Sequence, residues 1–540
     1  MGLMKSRTYL FLSLLAIVII IAVYLLKPVF YQSVVSSDLA PEQVKELMGA
    51  VGGQPSYTEL PSPYTHELYD SELYFTGSAL IDVDGDGVDE VFVGGQKGDA
   101  LLFFQGDHFE NRAEAWGLGE TDGPGLGSLS LDFDNDGDVD LLVARPADVF
   151  YYENTGTTFI KKPLGVSVET TTMPFGLTAT DSNGDGLPDL FISTFIHPDA
   201  FRLATFNDPT HVGINRFLLN KGGGEFVDIT EESGIDFKQN TFLSTFVDLD
   251  GDGLQDFVSA PNTDTVKIYR NLGGMKFKAL PPQTGFGFWM GLAVGDYDND
   301  GDPDLFFTNT GNTVPESVVR GDLNSEQEID LKWALLRNDG NFAFTRANDE
   351  AGIANFEFAW GAQFADLNLD GREDLIVAQN YKKWPAHRFV KLKGRLLVQG
   401  TDGRYLPAGE ALGIENPYYG MTPLVTDFNA DGMLDLVYIN IDGPTRIYLS
   451  DGRANNTLFV RLPDDVRSLG AKLVLHKNDG STMSRWITAG TGLLSDQSAQ
   501  AVFGLGSDET ASKLEVFWPS GKQTVIAEPQ LNTVLMLREE

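Results

Sequence analysis

The chain has 540 residues, 42% of them hydrophobic, with 58 glycines, 77 acidic and 39 basic residues and a formal charge of −38. That charge excludes nucleic-acid binding, which needs a positive footprint, and the apolar content excludes a disordered acidic chain while allowing two or three turn-rich domains. Cysteine is absent, which excludes disulfides and thiolate metal sites.

Tyr9 to Leu26 is an apolar run interrupted only by Ser13, with Lys5 and Arg7 before it and Lys27-Pro28 after it. As a helix it is about 27 Å long, enough to span a hydrocarbon core. Residues 1–31 therefore read as an uncleaved transmembrane anchor with the bulk of the chain exported, periplasmic or on the cell surface. A removed signal peptide is the competing reading. Residues 32–55 read as a linker with one short helix around Pro41 to Met48.

From 56 to 450 a nine-residue acidic motif recurs, starting at Asp82, Asp132, Asp181, Asp248, Asp296, Asp366 and Asp427. An oxygen-bearing side chain stands at positions one, three, five and nine of each copy. These are Asp82, Asp84, Asp86 and Glu90; Asp132, Asp134, Asp136 and Asp140; Asp181, Asn183, Asp185 and Asp189; Asp248, Asp250, Asp252 and Asp256. The last three copies supply Asp296, Asp298, Asp300 and Asp304; Asp366, Asn368, Asp370 and Asp374; Asp427, Asn429, Asp431 and Asp435. A hard cation such as calcium (Ca2+) takes six to eight oxygens, and alternate side chains of a tight loop can aim inward at one ion. Glycine at position six, present in all seven copies, permits the sharp turn. Up to seven structural calcium ions are expected. Asp, Asn and Gly also favour plain acidic turns, but seven copies in one register favour the metal reading. The first copy is irregular, with an extra acid, Asp89, before Glu90.

Apolar runs after each motif, such as LLVAR and LFFTN, are extended rather than helical. An apolar strand precedes each motif, and a third and usually a fourth strand follow. The motif starts lie 50, 49, 67, 48, 70 and 61 residues apart, the range of a four-stranded propeller blade with insertions. The expectation is all-β: a seven-bladed β-propeller over 56–450, followed by a small β-sandwich-like domain over 451–540. The seventh unit lacks an outer strand, which Ser56 to Leu60 (SYTEL) should supply.

The aromatic-glycine strand with its DxDxDGxxD hairpin resembles the FG-GAP or VCBS repeat of integrin alpha-subunit propellers. The C-terminal stretch resembles the ASPIC and UnbV domain in Asn455-Asn456-Thr457-Leu458, Leu469-Gly470-Ala471-Lys472-Leu473, Gly490-Thr491-Gly492-Leu493-Leu494-Ser495, Phe503-Gly504-Leu505-Gly506 and Leu514 to Lys522. Leu493 stands where that motif usually has an aromatic residue. Together the two parts resemble the cartilage acidic protein family, which has bacterial members. The resemblance implies a secreted or surface, calcium-binding protein without an assigned enzyme activity.

Three long insertions, about Ser193 to Arg216, Thr308 to Lys332 and Gln379 to Lys393, fall between second and third strands, at the end away from the acidic loops. The last carries Lys382, Lys383, Trp384, Arg388, Lys391 and Lys393 with no acid. Such a loop suits an acidic glycan, a lipid headgroup or an acidic protein surface. It could equally pair with the chain's own Asp322, Glu326, Glu328 and Asp330. The six histidines are scattered, and His197, Asp199, Arg202 and His211 share one insertion. Three functional readings remain: a binding or adhesion module, a glycan-cleaving enzyme or lectin-like glycan binder, and an envelope scaffold.

Overall fold

The computed structural model describes residues 55–68, 75–119, 122–166, 171–200, 213–311, 323–353, 357–380, 392–451, 455–507 and 510–539. The expected anchor, residues 32–54 of the linker and residues 381–391 of the basic insertion lie outside these. Among the described residues no helix is long and apolar enough to cross a membrane.

Among the described residues the strands before residue 452 build seven sheets, each with an antiparallel set of four. Gly287–Phe288 adds to the fourth, Ser495–Asp496 adds in parallel to the first, and Thr65–His66 pairs separately with Gly443–Pro444. The second unit is representative: Ser128–Leu131, Asp140–Arg145, Asp148–Asn154 and Phe159–Pro163. Its first two strands are buried along their whole length, because the sheets pack face to face, with clusters such as Phe191, Phe217, Phe246 and Phe257 shared between neighbours. Burial on both faces is why these strands read as continuous apolar runs rather than as an alternation. The first strands of the first four units lie side by side in order, as do those of the fifth to seventh, and that of the seventh touches that of the first. The result is a propeller-like repeat. As expected of Ser56–Leu60, this strand completes the seventh sheet, pairing antiparallel with Arg446–Asp451 from Ser56 opposite Asp451 to Leu60 opposite Ile447.

Beyond residue 455 two sheets form a small sandwich. One holds Asn456–Arg461 between Gln500–Gly506 and Val534–Met536; the other runs Thr482–Trp486, Lys472–Lys477, Ala511–Phe517, Gln523–Ala527. Leu458, Val460, Leu473, Leu475, Phe503, Leu514 and Val516 are buried in its core.

The sequence suggested a module that simply follows the repeats, but the loop from Ala489 to Asp496 enters the axis around which the first strands gather. It bonds to all seven units. The Leu494 carbonyl accepts the N–H of Ser78 at 3.2 Å and of Ser128 at 3.3 Å, and the Ala489 carbonyl accepts the hydroxyls of Thr178 and Thr245 at 2.9 and 2.8 Å. Gly492 and Leu292 exchange backbone bonds at 2.9 and 3.1 Å. Thr491 reaches Gln363 at 3.3 Å, and Ser495 reaches Thr422 at 2.9 Å. Gly490 has φ 69° and a Cβ there would lie 2.5 Å from the Leu177 carbonyl oxygen, so the motif glycine is needed for both turn and fit. The other end of the axis holds aromatic rings: Phe75 lies 4.8 Å from Phe175 and 5.6 Å from Trp360 between ring centroids, and Phe242 lies 5.9 Å from Trp360.

Candidate metal centres

Each acidic motif forms the hairpin between the first and second strands of its unit. In the second, Asp132 accepts the N–H groups of Asp136 and Gly137, both at 3.1 Å, and Asp136 accepts that of Asp138 at 3.0 Å. The chain is thereby folded around its own carboxylates. Asp82, Asp84 and Asp86 bring ligand oxygens within 4.8 Å of one another, as do Asp132, Asp134 and Asp136; Asp248, Asp250 and Asp252; and Asp296, Asp298 and Asp300.

The position-nine residues have a further duty. Asp140 accepts the N–H of Phe133 at 2.9 Å and of Asn154 at 2.7 Å, tying the loop to the third strand. Asp189, Asp256, Asp304, Asp374 and Asp435 make the same two bonds in their units. Glu90 accepts Val83 N–H at 3.0 Å.

Burial pushes these acids up, to about 6 for Asp132, about 7 for Asp140 and Asp296, about 8 for Asp256 and about 9 for Asp304 and Glu90. A nearby cation favours the charged form and relieves that cost. Buried Oδ1 atoms of Asp82 and Asp250 also have no hydrogen-bond partner. Clustered oxygen donors, raised carboxylates and unpartnered oxygens all fit a hard divalent ion.

The extra acid of the first motif turns inward to the C-terminal domain. Asp89 is fully buried, pairs with Arg461, and accepts the hydroxyls of Thr426 and Ser498, both at 2.6 Å. Other loops meet the same domain: Asp132 N–H donates to the Asp464 carbonyl at 2.7 Å, Gln255 to the Leu469 carbonyl at 2.8 Å, and Lys472 to the Gly301 carbonyl at 2.6 Å. The C-terminal domain thus covers the loop-bearing end. Between it and the first two loops lies a cleft of about 660 Å³ with Asp138, Arg467 and Met536 on its walls.

A set of lateral stitches went unread in the sequence. Asn154 reaches back from the third strand of one unit to the Val83 carbonyl of the preceding loop at 2.9 Å; Asn338 reaches Leu249 at 2.8 Å, and Gln399 reaches Tyr297 at 2.6 Å. Tyr57 does this for the strand that completes the last sheet, its hydroxyl donating to the carbonyls of Leu367 at 3.4 Å and Leu434 at 3.2 Å. An Asn ahead of glycine recurs in ENTG, NKGG, NLGG and RNDG, but only Asn154 and Asn338 of these cross between units, Asn220 and Asn271 donating within their own to Pro188 and Gln255.

Of the basic insertion, Lys382, Lys383, Trp384, Arg388 and Lys391 lie outside the described residues. Lys393 pairs with Glu415 of the same unit. Asp330, one of the acids suggested as a partner, pairs instead with Arg346 at 2.7 Å. His197 stands 3.6 Å from Asp199, whose side chain is 94% exposed, so this pair forms no enclosed site. Arg202 and His211 fall outside the described residues.

Residues 465–540 match the ASPIC and UnbV family, and residues 132–192 and 248–307 match the FG-GAP-like repeat. The chain is 24% identical over 538 residues to cartilage acidic protein 1 of Mus musculus, covering 90% of this chain and 77% of that one. It is 23% identical over 542 residues to cartilage acidic protein 1 of Homo sapiens, covering 90% and 76%. A solved structure of BBS1N in complex with ARL6DN is similar over 74% of this chain and 98% of that one, at 12% identity and a TM-score of 0.43. The chain thus carries FG-GAP-like repeats and an ASPIC and UnbV match in the regions named, and over nine-tenths of its length it is similar to cartilage acidic protein 1.

Proposed function

We propose that this protein is an exported, membrane-anchored, calcium-binding seven-bladed β-propeller that works as a binding or adhesion module rather than as an enzyme. One observation carries the reading. The C-terminal domain covers the loop-bearing end and fills the axis with Ala489 to Asp496, which leaves the insertion-bearing end for a partner. Extracellular calcium is abundant enough to fill even weak loops of this chemistry, and the FG-GAP repeats and the cartilage acidic proteins supply the analogy for a place outside the cytosol. The partner class is acidic, a carboxylated or sulfated glycan or an acidic protein surface, met by Lys382, Lys383, Arg388 and their neighbours.

The test uses residues 36–540 in calcium. Retention on an immobilised sulfated polysaccharide, lost in the K382A/K383A/R388A variant without a change in melting temperature, is the expected result. Equal retention of both proteins sinks the assignment of the basic insertion. Release of unsaturated or shortened oligosaccharide would replace the binding reading with a glycan-cleaving one.

A further inference from the structure

The sixth acidic loop differs from the other six in two independent ways. It carries its own cation: position seven is Arg372, where the others have Val88, Asp138, Leu187, Leu254, Asp302 and Met433. Arg372 pairs with Asp370, donates from Nε to the Gln399 carbonyl at 3.2 Å, and offers its backbone N–H to Asp370 Oδ1 at 3.0 Å. Asn368 donates to the same Asp370 carboxylate at 3.1 Å. Glu373, the fourth acid of this loop, is engaged elsewhere, pairing with Arg485 at 3.2 Å and accepting the Asp296 N–H at 2.6 Å. Positions one, five and nine then set three carboxylates against one guanidinium, whereas the third and seventh loops have three carboxylates and no cation of their own. Arginines also approach the fourth and fifth loops, Arg270 at 2.8 Å from Asp250 and Arg337 at 4.0 Å from Asp298. Those come from third strands, and each of those loops keeps four carboxylates.

The sixth loop is also sealed. Asp366, Asn368 and Leu369 are 2%, 3% and 0% exposed and the Asp370 side chain is 2% exposed, whereas Asp84, Asp86, Asp134 and Asp136 are exposed. The C-terminal domain makes the seal. Gly504 N–H donates to Asp366 Oδ2 at 3.1 Å, Gly506 N–H to the Leu369 carbonyl at 2.9 Å, and Asn455 to the Asn368 carbonyl at 2.7 Å. Asp366 Oδ2 also accepts Gly371 N–H at 2.8 Å. A divalent ion here would have to displace a guanidinium and compete for an oxygen already holding two backbone donors.

We infer that the sixth loop takes no calcium, that Arg372 is its resident cation, and that it serves instead as a metal-independent attachment point for the C-terminal domain. The inference rests on the reading of the other loops as calcium sites.

Native mass spectrometry of residues 36–540 in calcium counts the bound ions. The D134N variant of the second loop is expected to lose one ion, and D370N to keep the wild-type count. Loss of one ion from D370N overturns the inference. If D370N does not fold, anomalous diffraction from terbium-exchanged wild-type crystals decides: ions in the second and fifth loops with none in the sixth support it, and an ion in the sixth overturns it. A wild-type count of zero would fail the calcium reading itself, an outcome distinct from either.

Discussion

The carboxylate of Asp496 accepts the backbone N–H of Ser130 at 3.0 Å, so a residue of the C-terminal domain is built into the inner strand of the second unit. Burial raises Asp496 to about 7, and Asp464, at the same seam, to about 6. Acids whose folded values are raised contribute stability that is present below about pH 4 and lost as pH rises through the folded values. With calcium saturating, the melting temperature is expected to fall between pH 5.5 and pH 8. A flat or rising profile would show that these two carboxylates do not set the pH response of the seam.

Leu494 is fully buried in the axis, and its backbone sits at φ 54°. Replacing it by alanine removes packing without removing the Leu494 carbonyl that Ser78 and Ser128 use. Large-to-small core changes of this kind cost about 2–5 kcal/mol. Denaturant unfolding of L494A should show a loss in that range, in one transition shared by both domains; two transitions in the wild-type chain would refute the joint core.

Tyr57→Phe keeps the ring in place and deletes only the hydroxyl that reaches Leu367 and Leu434. The expected cost is about 1 kcal/mol, the net value of a buried hydrogen bond. Deleting Ser56–Leu60 should cost far more, because it strips five residues of pairing from the last sheet. Equal effects of the two changes would mean that the strand contributes little beyond its tyrosine.

Asn154→Ala and Asn338→Ala each leave a buried loop carbonyl, Val83 or Leu249, without its donor. Each should lose about 1–3 kcal/mol. The two sites share no partner, so the double variant is expected to lose the sum within about 0.5 kcal/mol. Strong non-additivity would show coupling around the repeats that their local bonding does not account for.

The repeats and their strands were legible because a motif of fixed internal spacing recurs and the strands beside it bury both faces. Even the pairing of Ser56–Leu60 followed from counting strands. The lateral stitches of Asn154 and Asn338 were harder, since an Asn ahead of glycine reads as ordinary turn chemistry until its amide is seen crossing to the preceding unit. Gly490 to Ser495 was legible as a family motif but not as an axial loop. Nothing local to GTGLLS says that its carbonyls will meet Ser78 or Leu292, because those partners lie hundreds of residues away. Asp89 showed itself only as a break in the pattern, and its partner Arg461 comes from another domain.

The Ala489–Asp496 loop also fixes an order of events. Synthesis delivers residues 78 to 426, the inner walls, before the segment that fills the space between them. Until that segment arrives, Leu292 and the hydroxyls of Thr178, Thr245 and Thr422 lack the axial partners that it supplies. A chain that stops before Ala489 therefore lacks a bonding partner shared by all seven units, and the repeats depend for their centre on a segment made after them.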